Sequence, residues 1–429
     1  MRTLATALAF LAVGATPALA QKPAAPNLDK VLVIGTDGTR WDLLRSAMRD
    51  GRAPNLARLA RQGFAKPSRL EYAPQVLTLS EVGWSSIASG VWPDKHGVDG
   101  RKFNMDPKQA TKNGYLDFLT RVQQGKPRLQ TYLASDWANL GLPENGGPIF
   151  GPTDERFAIG VDTETIAAWD AGDVQVTNAA RSFLRRDVAD ASFVYFGLVD
   201  ETAHLSGSAT PVYPQAITTT DARIGQVLRA LRRRPTYGFE SWTVIVTTDH
   251  GQRNLDEPSL VSHLSQTPLE ITSFLIGAGP GLGNPKSPKV VDIAPTVLQR
   301  LGIPVRKSWK LDGKPLSRPK RSHVSASVRK GRLRVSLRLA APKRGARRVA
   351  LHLPVRVAGA DSLDAFVNGK PVGGRLSGGG RTITVGVPGR RLRSLLLTGD
   401  VAGGSGGSAV LLLSGAPGAR GKLAVPLRG

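Results

Sequence analysis

Three apolar runs of strand length, each delivered into an aspartate, constrain this 429-residue chain more than any other feature. Val33-Ile34-Gly35-Thr36 leads to Asp37, Tyr195-Phe196-Gly197-Leu198-Val199 to Asp200, and Val244-Ile245-Val246-Thr247-Thr248 to Asp249-His250. Between them lie helix signals. Pro54 opens and Gly63 closes a helix over residues 55–62, residues 178–186 feed a strand over 192–198, and residues 216–233 feed a strand over 242–247. Residues 30–34 read as a buried strand, 274–276 as a short one, and 290–301 as a helix stopped by Gly302 and Pro304. Strands alternating with helices predict an α/β fold, a mostly parallel sheet flanked by helices. In such a sheet ligands gather beyond the carboxyl ends of the strands, where all three aspartates fall. One aspartate after a strand is commonly a turn former or helix cap. Three together, two with a histidine nearby, form a candidate site.

Histidine usage narrows that site. The chain has six, His96, His204, His250, His263, His323 and His352. His204 stands four residues after Asp200, so both can face one point from a turn or helical start, and His250 follows Asp249 directly. His263 lies in a polar stretch before the 274–276 strand. Carboxylate oxygens with imidazole nitrogens suit Zn²⁺, Mn²⁺ or similar divalent ions, and a set this large exceeds what one ion needs. The chain has no cysteine, which excludes disulfides, thiolate metal sites and a cysteine nucleophile.

A net charge of +25 suggests a nucleic-acid partner until it is divided along the chain. Of the 58 Lys and Arg and 33 Asp and Glu, 26 and 4 fall after residue 305, so the first part is nearly balanced. That break, with the Pro- and Lys-rich stretch that follows it, marks a linker over 306–321 between an α/β unit over 28–305 and a basic C-terminal unit over 322–429. The C-terminal unit alternates basic and apolar residues, as in Arg332-Leu333-Arg334-Val335, with further short apolar runs over 347–357, 381–387, 395–397, 409–413 and 422–427. Asn368-Gly369 reads as a hairpin turn, and Gly378–Gly380 and Gly403–Gly407 as loops. A small all-β sandwich or barrel is expected. Its outward arginines could grip an acidic polymer or an anionic surface, or be solvated only; with few aromatics interleaved, specific nucleic-acid recognition is not expected. At the other end, Arg2, the apolar run from Leu4 to Val13 and Ala18-Leu19-Ala20 read as a cleaved secretory leader over residues 1–20, implying a periplasmic or secreted protein. No later segment is apolar enough to cross a membrane.

Several stretches together resemble the alkaline-phosphatase superfamily, and within it the type I phosphodiesterase and nucleotide pyrophosphatase branch. They are Gly35-Thr36-Asp37-Gly38-Thr39-Arg40-Trp41-Asp42, Ala53-Pro54-Asn55-Leu56-Ala57-Arg58-Leu59, and the run from Ser85 through Gly90, Pro93 and His96 to Val98. Asp200 with His204, Thr248-Asp249-His250-Gly251, His263, Gly277-Ala278-Gly279-Pro280 and Val291 to Leu298 continue the match in order. The resemblance implies an alkaline-phosphatase-like fold and two divalent metal ions, Zn²⁺ first, with Mn²⁺ and Mg²⁺ also compatible. It assigns Ser80, ten residues before Gly90, as a nucleophile that also binds metal, with Thr78 as the alternative. It assigns Asp37, Asp249 and His250 to the metal beside Ser80, and Asp200, His204 and His263 to the other. His96 is structural in this scheme. The implied activity is hydrolysis of a small phosphate ester, a diester or nucleotide, through a phosphoseryl intermediate.

Departures from the family pattern bear on the substrate. Such phosphodiesterases usually carry threonine where Ser80 stands, and an apolar or small residue where Glu81 stands. The asparagine expected to contact a phosphoryl oxygen is Arg101, which could form a charge-assisted bidentate bond instead, or be solvated, with Asn104 taking the role. A phosphomonoesterase with the same site is the alternative. A non-catalytic polyanion-binding protein and a sulfatase-like enzyme are further ones, although Ser80-Glu81-Val82-Gly83-Trp84 lacks the sulfatase motif.

Overall fold

The computed structural model describes residues 26–428 apart from 73–74, 101–105, 107, 143–147, 162–164, 187, 318–320, 403–405 and 417–418. The expected leader over 1–20, part of the expected linker and part of the Gly403–Gly407 loop lie outside the described residues. No helix among the described residues is long and apolar enough to cross a membrane.

Seven strands form the first sheet: β1 (Asp29–Thr36), β2 (Phe64–Arg69), β3 (Gln130–Ser135), β4 (Glu155–Ala158), β5 (Ala189–Phe196), β6 (Ser241–Thr247) and β7 (Thr272–Ala278), in the spatial order β2-β7-β6-β1-β5-β3-β4. The five from β6 to β4 run parallel, whereas β7 is antiparallel to both β6 and β2. Alternate β1 side chains enter two cores. Val31 and Val33 pack with Trp84, Phe193 and Val297, while Leu32 and Ile34 pack with Phe183, Ile224 and Leu228. Helices cover both faces, which is why these strands read as unbroken apolar runs. Each buried side chain of this size stabilises by roughly 1.5–3 kcal/mol.

Element boundaries differ from expectation most at three places. β5 ends at Phe196, and Asp200 sits in the first turn of a helix, Leu198–Ser206, rather than at a strand end. The helix expected over 178–186 starts far earlier and spans Ile166–Arg185, because Trp169, Asp173 and Val176 extend its buried stripe and Thr165 caps it by accepting from the Ala168 amide at 3.2 Å. The stretch 290–301 divides into a short turn, Val290–Asp292, and a helix, Ile293–Arg300. Within the expected linker, residues before 318 are bonded to the α/β part. Arg121 lies over the Trp309 ring at 4.3 Å, and Asp312 accepts from the Trp92 amide at 2.9 Å.

All strands after residue 322 belong to one eleven-stranded sheet. Two antiparallel halves, one around Arg332–Arg344 and one around Ala346–His352, meet through a short parallel pairing of Leu427 with Ala326 and Arg428 with Ser327. Both halves fill one core, with Val335, Leu337 and Leu397 from the first and Leu351, Leu411 and Val425 from the second. That is the packing of a sandwich. Asn368 and Gly369 both take positive φ, 56° and 79°, as the tight hairpin turn requires.

The two parts share a built contact. Leu28 and Phe239 of the α/β part are buried in the β core. Lys343 sends its ammonium back to the carbonyls of Tyr237 at 3.1 Å and Glu240 at 2.6 Å. Asp29 accepts from the Ser322 amide at 3.1 Å and stands 3.5 Å from the buried Arg300. These residues lie at the amino ends of β1 and β6, away from Asp37 and Asp249. Removing residues 322–429 is therefore expected to lower the melting temperature by about 10 °C, since exposing two large side chains and orphaning two carbonyls costs several kcal/mol. Turnover per folded molecule should persist; thermal unfolding beside single-turnover assays checks both, and an unchanged melting temperature would refute the contact's role.

Candidate active site

β6, β1 and β5 are adjacent, and the chain leaving each carries acids to one edge. Asp37 follows β1, Asp249 and His250 follow β6, and the helix after β5 presents Asp200 and His204 on one face through their i,i+4 spacing. Ser80 opens the helix Ser80–Ser89, whose first turn packs on Asp249 so closely that a Cβ at Gly83 would lie 2.6 Å from the Asp249 Cβ. Gly38, at φ +54°, likewise leaves room for Asp200, whose Oδ1 would stand 2.0 Å from a Cβ there. His263 arrives from the loop before β7.

These seven side chains meet. Ser80 Oγ lies 3.2 Å from His250 Nε2 and 3.4 Å from Asp37 Oδ1. His250 Nε2 stands 3.3 Å from Asp249 Oδ2 and 3.6 Å from Asp37 Oδ1. His204 Nε2 is 3.2 Å from both Asp200 Oδ2 and His263 Nε2. The His250 and His263 rings stack with centroids 4.0 Å apart. Two groups, Asp37-Asp249-His250 and Asp200-His250-His263, each bring one ligand atom per residue within 4.8 Å of the others, so His250 reaches both. His204 flanks the second. Arg101 and Asn104 lie outside the described residues.

The histidine tautomers follow from their partners. Nδ1 of His250 faces the Gly251 carbonyl at 2.9 Å, Nδ1 of His204 faces the Ser259 carbonyl at 2.8 Å, and Nδ1 of His263 faces the Thr78 carbonyl. A carbonyl only accepts, so each Nδ1 carries the proton and each Nε2 turns toward the cluster, the orientation metal-binding imidazoles adopt. Two Nε2 atoms at 3.2 Å need a cation or proton between them. In the metal-free chain a proton serves: burial opposes charge on His204, but Asp200 outweighs it and raises the pKa to about 10. His263, buried and beside His250, is pushed down to about 3. Burial and then the Asp200 charge raise Asp37; burial and then the Asp37 charge raise Asp249 well above the carboxylate range. Burial would raise Asp200 too, yet His204 holds it below. Asp249 Oδ2 is buried without a hydrogen-bond partner among the described residues. A pocket of carboxylates and imidazole lone pairs with an orphaned oxygen fits divalent cations.

Residues without a sequence signal complete the site. Asp37 Oδ2 accepts from Trp84 Nε1 at 2.8 Å and from the Tyr195 hydroxyl at 2.5 Å, which leaves Oδ1 to face Ser80 and His250. Gln252 donates to Asp200, and Asn139 to Glu81 at 3.2 Å. The Thr78 hydroxyl donates to the His263 backbone carbonyl, whereas Ser80 Oγ lies beside His250 Nε2 and Asp37 Oδ1. Spacing could have hinted at Trp84, one helical turn after Ser80, but Tyr195 and Gln252 come from other elements. Tyr195→Phe removes one of two donors that hold Asp37 in a single orientation. It is expected to weaken metal binding about tenfold, read by competition with a chromogenic chelator. Affinity equal to wild type would show that Trp84 suffices.

Residues 31–273 match the family described as Type I phosphodiesterase / nucleotide pyrophosphatase. Human ectonucleotide pyrophosphatase/phosphodiesterase family member 7 is 24% identical over 268 residues, covering 59% of this chain and 54% of that protein, so the chain spans about half the length of this curated relative. Among solved structures, murine ectonucleotide pyrophosphatase/phosphodiesterase 5 aligns with a TM-score of 0.44 at 12% identity, over 65% of this chain and 96% of that one. A 2-O GAG sulfatase aligns with a TM-score of 0.48 at 14% identity, over 73% and 81%.

Proposed function

Because the chain belongs to the type I phosphodiesterase/nucleotide pyrophosphatase family, whose match covers more than half of it, we propose that it is a metal-dependent phosphoric ester hydrolase with Ser80 as nucleophile. The observation that carries this is the convergence of three histidine Nε2 atoms and three aspartates on a point that Ser80 Oγ also faces. Asp37, Asp249 and His250 would hold one divalent ion beside Ser80, and Asp200, His204 and His263 a second, with His250 close to both. When bound, such ions lower the pKa of a coordinated hydroxyl or water and stabilise charge on the attacking and leaving oxygens.

The chain's own residues do the rest. Ser80, at the first position of its helix, offers its oxygen to phosphorus, and the amides of that helix turn favour the phosphoryl charge. Attack forms the Ser80 O–P bond as the P–O bond to the alcohol breaks, the Ser80 proton passing to solvent and the departing alkoxide taking one up. Water then bonds to phosphorus as the Ser80 O–P bond breaks, which returns a proton to Ser80 and releases the phosphate. Asp37, pinned by Trp84 and Tyr195, keeps Oδ1 in place through both steps, so little reorganisation is needed as charge develops. No separate general base is required, since phosphoryl transfer depends chiefly on positioning and charge stabilisation. Zn²⁺ suits this mixed oxygen and nitrogen set best.

A diester or nucleotide is the proposed substrate class, with a phosphomonoester the alternative. Initial rates on bis-p-nitrophenyl phosphate and p-nitrophenyl phosphate, with and without chelator, decide between them. Failure to hydrolyse either after metal loading would sink the hydrolase. For the C-terminal sandwich we propose contact with an acidic polymer or anionic surface, supported by its excess of basic residues.

A further inference from the structure

Away from the catalytic cluster, four arginines share one concavity. Arg181 and Arg185 fall at the end of the helix Ile166–Arg185, and Arg229 and Arg233 at the end of the helix Val212–Arg232. Each pair is spaced i,i+4, so its members stand on one helix face, where like charges repel. The two helices pack side by side, and the four arginines line a cavity of about 140 Å³ with Gln226 and Ala230.

Nothing in that lining neutralises them. Arg181 donates to Asn178 Oδ1 at 3.3 Å and Gln226 Oε1 at 3.2 Å, amide oxygens that orient a guanidinium without cancelling its charge. The side chains of Arg185, Arg229 and Arg233 make no hydrogen bond or ion pair with the described residues. Neighbouring arginines are matched instead: Arg223 with Asp170 and Asp173, Arg234 with Glu240, and Arg186 with Glu155. A helix C-terminus favours a cation by about 0.3–1 kcal/mol, which accounts for a basic residue at each helix end. It does not account for four guanidiniums around one hollow that no carboxylate among the described residues lines.

We infer that this cleft binds a tetrahedral oxyanion, a phosphate or sulfate group. Guanidinium forks match the oxygens of such a group bidentately, and the cleft is large enough to admit one of them with a little water. The two helices lead into β5 and β6, so the cleft sits at the amino end of the sheet, opposite Ser80. Its ligand is therefore separate from the esters proposed for the catalytic site. Both a free anion and the phosphate of an anionic lipid headgroup carry this chemistry.

The test uses full-length, metal-loaded protein beside the double variant Arg185→Gln/Arg229→Gln. Each is titrated calorimetrically with inorganic phosphate and with sulfate, and co-sedimented with phosphatidylglycerol or phosphatidylcholine vesicles. Wild type is expected to show a binding event that is at least about tenfold weaker in the double variant. Ester hydrolysis and melting temperature should match between the two proteins, and the latter serves as the folding control even if neither hydrolyses an ester. Loss of phosphate or sulfate binding supports a free-anion site, and loss confined to phosphatidylglycerol vesicles supports a headgroup in the same cleft. Identical titrations and identical sedimentation of the two proteins overturn the inference.

Discussion

Ser80→Ala is expected to lower turnover by about 10,000-fold or more while leaving the melting temperature and the bound metal close to wild type. Ser80 Oγ is the hydroxyl that faces His250 Nε2 and Asp37 Oδ1, at 3.2 Å and 3.4 Å. Removing it deletes the proposed attacking atom but leaves Asp37, Asp249 and His250, the proposed ligands of the neighbouring cation, in place. The side chain is small and only partly buried, so stability should change little. Thr78→Val provides the contrast. Its hydroxyl is committed to the His263 carbonyl, so the change should loosen His263 and weaken metal binding without abolishing turnover. Rates from the two variants that fall in the reverse order would move the nucleophile to Thr78.

Metal removal is the second large effect. A chelator is expected to abolish turnover, and added Zn²⁺ to restore it. Metal-free protein should also unfold at lower temperature, because buried like charges at Asp37, Asp249 and Asp200 lose their counter-ions. Loading must displace the proton on His204, so binding should release protons near neutral pH and weaken as pH falls. The same proton sets the stability of the metal-free chain. A histidine whose folded pKa is raised contributes stability that is complete below its ordinary 6.5 and lost as pH climbs through about 10. Asp37 and Asp249, raised by burial, act in the same direction, losing stability as pH rises above the usual carboxylate range. Metal-loaded protein should show a flatter profile. Thermal melts from pH 5 to 10 with and without metal check this, and parallel curves would argue that no cation belongs in the cluster.

Much of the fold was legible because burial on both sheet faces leaves strands that are apolar throughout, as in β1 and β6. The strand expected over 192–198 ends early, at Phe196, because Leu198 and Val199, as apolar as the strand before them, are buried on a helix instead. Asp200 and His204 were recognisable as a pair since i,i+4 spacing suits a helix. Tyr195 gave no signal, because a tyrosine within an apolar strand looks like core until the partner of its hydroxyl is known. The arginine cleft was also invisible: Arg181 and Arg229 are far apart in the chain, and each resembles a solvated helix end.

By itself the sequence pointed to a divalent-cation site of aspartates and histidines, because residue types and their order depend only on local pattern, and its resemblance to a known family implied the chemistry such a site would serve. Tertiary structure alone decided which oxygens and nitrogens face one another. Strand order set β6, β1 and β5 side by side, backbone carbonyls chose the imidazole tautomers, and the Thr78 hydroxyl was bonded to the His263 carbonyl while Ser80 Oγ was set beside His250 and Asp37. Apart from the Gly251 carbonyl beside His250, those outcomes rest on contacts between residues distant in the chain, which no local periodicity encodes.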